Sequence, residues 1–212
     1  MRKELKKKKK IKLRNKKLIK KYPWLRIRNV WTDKFIEIGD YSSTELDALP
    51  EGWVRCFGVM MVKELNALLE RAHYVNKFRI VEAKEKYGQL RLYHNGVPRS
   101  IYDEFERVID KYTYLSENVC ANCGRPDVFM TFSGWDFPLC KHCWDTCIND
   151  TREYEQVISD KDTGRMADSF TIRRFSKDGN VDTTYDISQT AEKIRKRYEK
   201  RSNRRLRRMG RR

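Results

Sequence analysis

The stretch CANCGRPDVFMTFSGWDFPLCKHC, residues 120–143, holds two Cys-x-x-Cys pairs with sixteen residues between them. A tight knuckle presents both thiolates of such a pair on one side, and two knuckles complete the four-sulfur tetrahedron that Zn2+ favours. Cys120, Cys123, Cys140 and Cys143 are therefore the expected ligands of a structural Zn2+. Four protein ligands leave no open coordination position, so the expected role is folding rather than hydrolysis. Gly124 can take the backbone conformation that leaves a knuckle, and Pro126 then redirects the chain. Val128, Phe129, Met130, Phe132, Trp135 and Phe137 lie between the pairs and are expected to pack over the sulfurs. Two residues compete as ligands: His142, inside the second pair, and Cys147, four residues past Cys143. Their alternatives are a solvent-facing imidazole and a small buried thiol.

Upstream, apolar positions set the secondary structure. Val54, Phe57, Met61, Leu65, Leu68, Leu69 and Ala72 recur at three- and four-residue steps, which predicts a helix over residues 52–72 with one buried stripe. Residues 76–81 and 89–94 read as extended segments separated by a polar stretch, and Leu90, Leu92 and His94 alternate with Arg91 and Tyr93. Asn95-Gly96 ends the second segment in a turn. Ser100 is the expected cap of a further helix that buries Ile101, Phe105, Val108, Ile109, Tyr112 and Leu115. A short strand is expected over residues 31–38, and residues 170–175 and 181–185 predict a hairpin around Lys177-Asp178-Gly179-Asn180. The fold class is α+β: a small antiparallel sheet packed with helices, a four-cysteine zinc-knuckle or ribbon-like unit, and basic arms at both ends. The expected division is an N-terminal arm over 1–28, an α+β core over 29–119, the zinc unit over 120–147, a polar linker and hairpin over 148–189, and a basic amphipathic helix over 190–212.

The arms dominate the charge. The chain carries a net +17; residues 1–28 hold fifteen Lys or Arg against Glu4, and residues 193–212 hold twelve against Glu199, so residues 29–192 carry −8. Such clusters replace condensed cations along phosphates, which makes DNA or RNA the expected partner. The candidate contacts are Lys6, Lys7, Lys8, Lys9, Lys10, Lys12, Arg14, Lys16 and Lys17 at one end, and Arg195, Arg197, Arg201, Arg204, Arg205 and Arg208 at the other. The first arm reads as a tether with no apolar face that needs a core. The second has an apolar sector, Ala191, Ile194, Tyr198, Leu206 and Met209, that can dock on the body. Tyr22 and Trp24 beside the first arm are candidates for base stacking; Trp135 and Trp144 are weaker ones, with core packing as their default.

The chain lacks a phosphate loop, a dinucleotide loop, a metalloprotease helix and a serine-nucleophile motif, so a non-enzymatic role is expected and no catalytic residue is assigned. No transmembrane segment or secretory signal is expected, and four of the six cysteines fall in metal-type pairs, which points to an intracellular, reducing setting.

Gly52-Trp53, residues 84–93 (KEKYGQLRLY), residues 120–126 (CANCGRP), Gly134-Trp135 and residues 139–143 (LCKHC) together resemble a group of small phage and prophage zinc-binding proteins, over about residues 52–147. The resemblance implies metal ligation by the four paired cysteines, a location in the host cytoplasm, and no established catalytic residue. The long basic arms depart from that group's compact pattern. Two functions follow: a nucleic-acid-binding or regulatory protein, or an interaction module that binds or inhibits a host protein.

Overall fold

The structure, a computed structural model, describes residues 2–29, 31–32, 34–35, 43–128, 130–131, 137–147, 168–176 and 179–209, without side chains at 2–4, 130–131, 147, 173–176, 179–181 and 208–209. The fold is α+β. Helix α1 spans Arg2–Lys21, α2 Glu51–Trp53, α3 Val59–Arg71, α4 Tyr102–Glu117, α5 Lys141–Cys147 and α6 Ser188–Met209. Among the described residues, strands β1 (Arg79–Lys86) and β2 (Gln89–Asn95), β3 (Met130–Thr131) and β4 (Phe137–Pro138), and β5 (Ser169–Ser176) and β6 (Gly179–Asp186) form three two-stranded sheets, so the small sheet expected in the body has two strands and the expected hairpin is a sheet of its own. Among the described residues, each of these strands pairs with its neighbour in sequence.

The chain divides into two compact units. The first comprises Met1–Pro50, Gly58–Glu85 and Arg91–Ile109. Met61, Leu65 and Leu69 of α3 are buried there, as the periodicity requires, with Phe78, Leu92, Ile101 and Phe105. Trp24 meets Phe78 edge-on at 5.1 Å and donates its indole N–H to Asn66 Oδ1 at 3.0 Å. Tyr22 and Trp24 are thus core residues, each only 3% exposed, and neither can stack on a base. His94 lies 5.0 Å from the Phe105 ring and is hydrogen-bonded to Glu106 at 2.8 Å.

The first arm is a helix rather than a tether. Lysine is a good helix former, so a Lys-rich segment tolerates this conformation despite its like charges. Leu5 to Lys10 are exposed, but Asn15 and Leu18 are buried in the first unit. Asp47 anchors the junction: its carboxylate accepts hydrogen bonds from Arg14, from the Asn15 amide at 2.6 Å and from the Thr44 N–H at 2.8 Å.

Tyr87 and Gly88 both take positive φ, 53° and 75°, as a two-residue turn of the primed kind requires. The polar stretch expected as a connector therefore continues as strand to Lys86. Gly96, at φ 79°, ends β2 as expected, and a Cβ there would sit 2.1 Å from the Lys77 carbonyl oxygen. The helix after β2 begins in a 3-10 turn, Arg99–Ile101, led by Pro98, with no side-chain cap from Ser100. Of the strand expected over 31–38, Trp31 and Thr32 lie in a turn because the Asn29 side chain accepts both of their N–H groups, each at 2.9 Å; residues 36–38 lie outside the described residues.

The second unit comprises Glu51–Phe57, Lys86–Leu90 and Asp110–Arg212. A π-helical turn over Val54–Gly58 follows α2. Trp53, Phe57, Tyr112 and Leu115 are fully buried, with Phe57 and Tyr112 ring centroids 5.5 Å apart. β5 and β6 pair antiparallel with Phe170 opposite Tyr185, as the hairpin reading requires, and the rings of Tyr114, Phe170 and Tyr185 stack at 4.3 and 4.7 Å. Its turn at 177–178, and all but the end of the polar segment before it, lie outside the described residues. Ala191 and Ile194 of α6 are buried, Tyr198 is half-buried and Leu206 is 62% exposed, so the docked apolar sector ends near Tyr198; the Met209 side chain is outside the description.

Removing residues 1–10 should leave the thermal transition unchanged, whereas removing residues 1–21 also strips Leu18, Asn15 and the Asp47 anchor and should lower it by several degrees, on the order of 1–3 kcal/mol. Glu45 is buried near Glu82, and burial first, then the Glu82 charge, raises its carboxyl from 4.5 to about 7. The native state thus holds a proton that the unfolded state releases, so this contribution to stability is full below about 4.5 and is lost as pH rises through about 7. Thermal melts of Glu45→Gln should show a flatter pH dependence over that range and a transition at pH 8 higher by about 2–4 °C.

Candidate metal centre

Two knuckles and the start of a helix build the site. α4 ends at Glu117, after which Val119 forms an antiparallel bridge with Pro126. Between these bridge partners the chain doubles back: the Cys120 N–H donates to the Arg125 carbonyl at 2.8 Å, and the Gly124 N–H to the Cys120 carbonyl at 2.8 Å. Gly124 closes this knuckle at φ 73°, the conformation its sequence position predicts. The Ala121 N–H then reaches the Pro138 carbonyl at 2.8 Å and ties β4, hence the second pair, to the first. Cys140 precedes α5 and Cys143 lies in its first turn, where the Trp144 N–H donates back to the Cys140 carbonyl at 2.9 Å.

The four expected ligands converge. The sulfurs of Cys120, Cys123, Cys140 and Cys143 all lie within 4.8 Å of one another, with Cys123 Sγ 3.7 Å from Cys140 Sγ. A tetrahedron with metal–sulfur bonds of about 2.3 Å has edges of about 3.8 Å, so the donor set matches such an ion in element, number and spacing. Cys120, Cys140 and Cys143 are buried and Cys123 half-buried. Val128, Leu139 and Trp144 are buried against them, and Phe137 packs partly buried alongside. Trp144 is thus a core residue of this cluster. Trp135, Phe129 and Phe132, and the Met130 side chain, lie outside the described residues. His142 is exposed and is not among the converging groups; the Cys147 side chain is outside the description.

Crowding ties the protonation of the sulfurs to one another. The Cys120 thiol is held far below its ordinary value by hydrogen bonds from Cys123 and Cys140. Cys123 is raised in turn, first by its hydrogen bond with Cys120, and Cys143 is pushed up to about 12, first by burial and then by the Cys120 charge. Were all four to ionise they would repel one another at this spacing, and a divalent ion at their centre would offset that penalty. The Cys123 N–H at 3.5 Å from Cys120 Sγ and the Asn122 side-chain amide at 3.5 Å from Cys143 Sγ direct partial positive charge at the sulfurs. When bound, the metal supplies a cross-link between the two knuckles. The chain's own part is to hold the four sulfurs in place and exclude water.

Three supports of the site are not legible in the cysteine spacing. Gly52 donates its N–H to the Ala121 carbonyl at 2.7 Å, and a Cβ at Gly52 would lie 2.2 Å from the Cys120 carbonyl oxygen. Trp53 donates its indole N–H to the Val119 carbonyl at 2.9 Å. Asp127, at φ 57°, receives Arg195 of α6 through Nε at 3.2 and 3.3 Å. The adjacency of Gly and Trp at 52–53 was the one available signal, since it sets a residue without a Cβ beside a large hydrogen-bond donor.

Among the other candidate residues, Lys6 to Lys10, Lys12, Lys16 and Lys17 are exposed along α1, and Arg197, Arg204 and Arg205 along α6. Arg14 and Arg195 are engaged by Asp47 and Asp127, and Arg201 is half-buried with Nη1 3.4 Å from the Arg55 carbonyl oxygen. The Arg208 side chain is outside the description. Among the described residues, no helix is long and apolar enough to cross a membrane.

Replacing any one of Cys120, Cys123, Cys140 or Cys143 by Ser should abolish stoichiometric zinc in elemental analysis and lower the thermal transition, while Cys56→Ser keeps the metal. Gly52→Ala should retain all four cysteines yet lower the stability by about 2 kcal/mol or more, because the Cys120 carbonyl must move to admit a methyl group. Comparison of the chain with protein-family models, curated proteins and solved structures finds no match.

Proposed function

We propose that this chain is a non-catalytic nucleic-acid-binding or regulatory protein of phage or prophage type, in which a structural Zn2+ fixes the second unit and the two basic helices grip phosphates. Zn2+ is the proposed ion because four soft thiolates in a closed tetrahedral shell suit it and leave no position for a substrate. The observation that carries the binding reading is the segregation of charge: +14 in residues 1–28 and +11 in residues 193–212 against −8 between them. Solvent exposure of Lys6 to Lys10 and of Arg204 and Arg205 supports it, since these side chains can reach a phosphate without leaving a core. Arg14, Arg195 and Arg201 are structural members of the set, held by Asp47, Asp127 and the Arg55 carbonyl.

A second reading rests on the acidic charge between the arms: this body would present a specific face to a host protein while the arms localise it. Retained stoichiometric capture of a protein by a chain lacking both basic segments favours this reading.

Salt decides the first. Affinity for duplex DNA or RNA should fall by about 0.9 log units per log unit of salt for each phosphate contacted. Changing Lys6 to Lys10 together to Gln should weaken binding at low salt and reduce that slope by up to about 4.5, with no change in thermal transition. Equal affinity at about 50 and 200 mM salt removes the electrostatic reading.

A further inference from the structure

Helix α6 outruns the core that anchors it. Ala191 and Ile194 are buried and Tyr198 is half-buried, but every side chain from Asn203 to Arg207 is exposed. No acidic residue follows Glu199 in the chain, so Lys200 and Arg204, and Arg201 and Arg205, are like charges four residues apart on the helix and repel one another. Among the described residues, the ion pairs of α6 join Glu192 to Lys196, and Asp127 and Asp168 to Arg195. Lys200, Arg204, Arg205 and Arg207 take part in none of them, which leaves their charge uncompensated.

The placement of these four cations around the helix narrows the choice of polyanion. At about 100° per residue, Lys200 and Arg207 lie about 40° and about 60° to one side of Arg204, and Arg205 lies about 100° to the other. The charge thus covers an arc of about 160° along a run about 12 Å long. A single strand offers one row of phosphates, which meets a narrow stripe only. The major groove of B-form DNA offers a row on each side, about 12 Å apart, and a helix of about 10–12 Å diameter fills it. In A-form RNA that groove is too deep and narrow for side chains to read. Leu206 is the one large apolar side chain exposed on this half of α6, too little for a membrane-inserting stripe.

We infer that residues 200–207 of α6 lie in the major groove of duplex DNA, with Lys200 and Arg207 on the phosphates of one strand, Arg205 on those of the other, and Arg204 between them facing the base edges. There a guanidinium can fork onto O6 and N7 of guanine. The inference rests on the nucleic-acid reading above and adds the groove and the kind of duplex, which net charge does not supply.

The test uses the full chain, zinc-loaded, on a DNA duplex of about 20 base pairs, the RNA duplex of the same sequence and one of the DNA strands, at about 150 mM salt. The wild-type chain should bind the DNA duplex most tightly and, at saturation, shield guanine N7 in the major groove from methylation by dimethyl sulfate. Changing Lys200, Arg204, Arg205 and Arg207 together to Gln should cost roughly 10- to 1000-fold on the DNA duplex and less on the other two probes. It should also remove the N7 shielding and reduce the DNA salt slope by up to about 2.7, for three phosphate contacts, with the thermal transition unchanged. Guanine N7 left open in the wild-type complex, shielding that the quadruple variant keeps, or a loss no greater on the DNA duplex than on the other probes overturns the groove placement and leaves the phosphate reading standing. A wild-type chain that binds none of the three probes overturns both.

Discussion

The second unit depends on the backbone of the first knuckle being held from three sides. Gly124 must take positive φ to close it, Pro138 must accept the Ala121 N–H to bring in the second pair, and Gly52 must lack a Cβ so that the Cys120 carbonyl can approach. With these satisfied, four sulfurs that would otherwise repel one another converge within 4.8 Å. A metal there would act on stability through chain closure as well as through bond energy, because it would join two knuckles sixteen residues apart. The aromatic layer of Trp144 and Phe137 keeps the polarity of that cluster from being lost to water.

Each basic helix has one end in a core and one end in solvent. Asp47 fixes the C-terminal half of α1 through Arg14 and Asn15, and Asp127 fixes α6 through Arg195. Both anchors consume a cation that composition alone would assign to a ligand. What remains exposed is a block of lysines at one terminus and of arginines at the other, and these differ in kind. Ammonium groups act as hydrated point charges, whereas guanidinium groups can fork across phosphate oxygens and lie flat on a base.

The legible parts of the fold were those set by local rules. The stripe through Phe57, Met61, Leu65 and Leu69, the turn at Gly96, the β5–β6 hairpin and the four-cysteine set all follow from spacing or from backbone preference. The parts that were not legible depend on partners distant in sequence. Nothing near Trp24 announces that Asn66 and Phe78 will meet it, nor anything near Tyr22 that it will be buried, so proximity to lysines suggested a stacking role that burial forbids. The strand through Glu82 to Lys86 was obscured by its charges, since the positive-φ turn at Tyr87-Gly88 rather than any apolar run extends it. The helical arm was obscured in the same way, because its anchor is one aspartate thirty-two residues beyond Asn15. Within the candidate metal centre, the four converging cysteines could be read from their spacing, but the approach of Gly52 to Cys120 could not.

X-ray absorption at the zinc edge of the metal-loaded chain tests the central claim most directly, because it reads ligand element, number and distance without reference to activity. The account predicts a single shell of four sulfurs at about 2.3 Å. A nitrogen or oxygen scatterer in the first shell, which would bring His142 or water into the site, or fewer than four sulfurs, would contradict it.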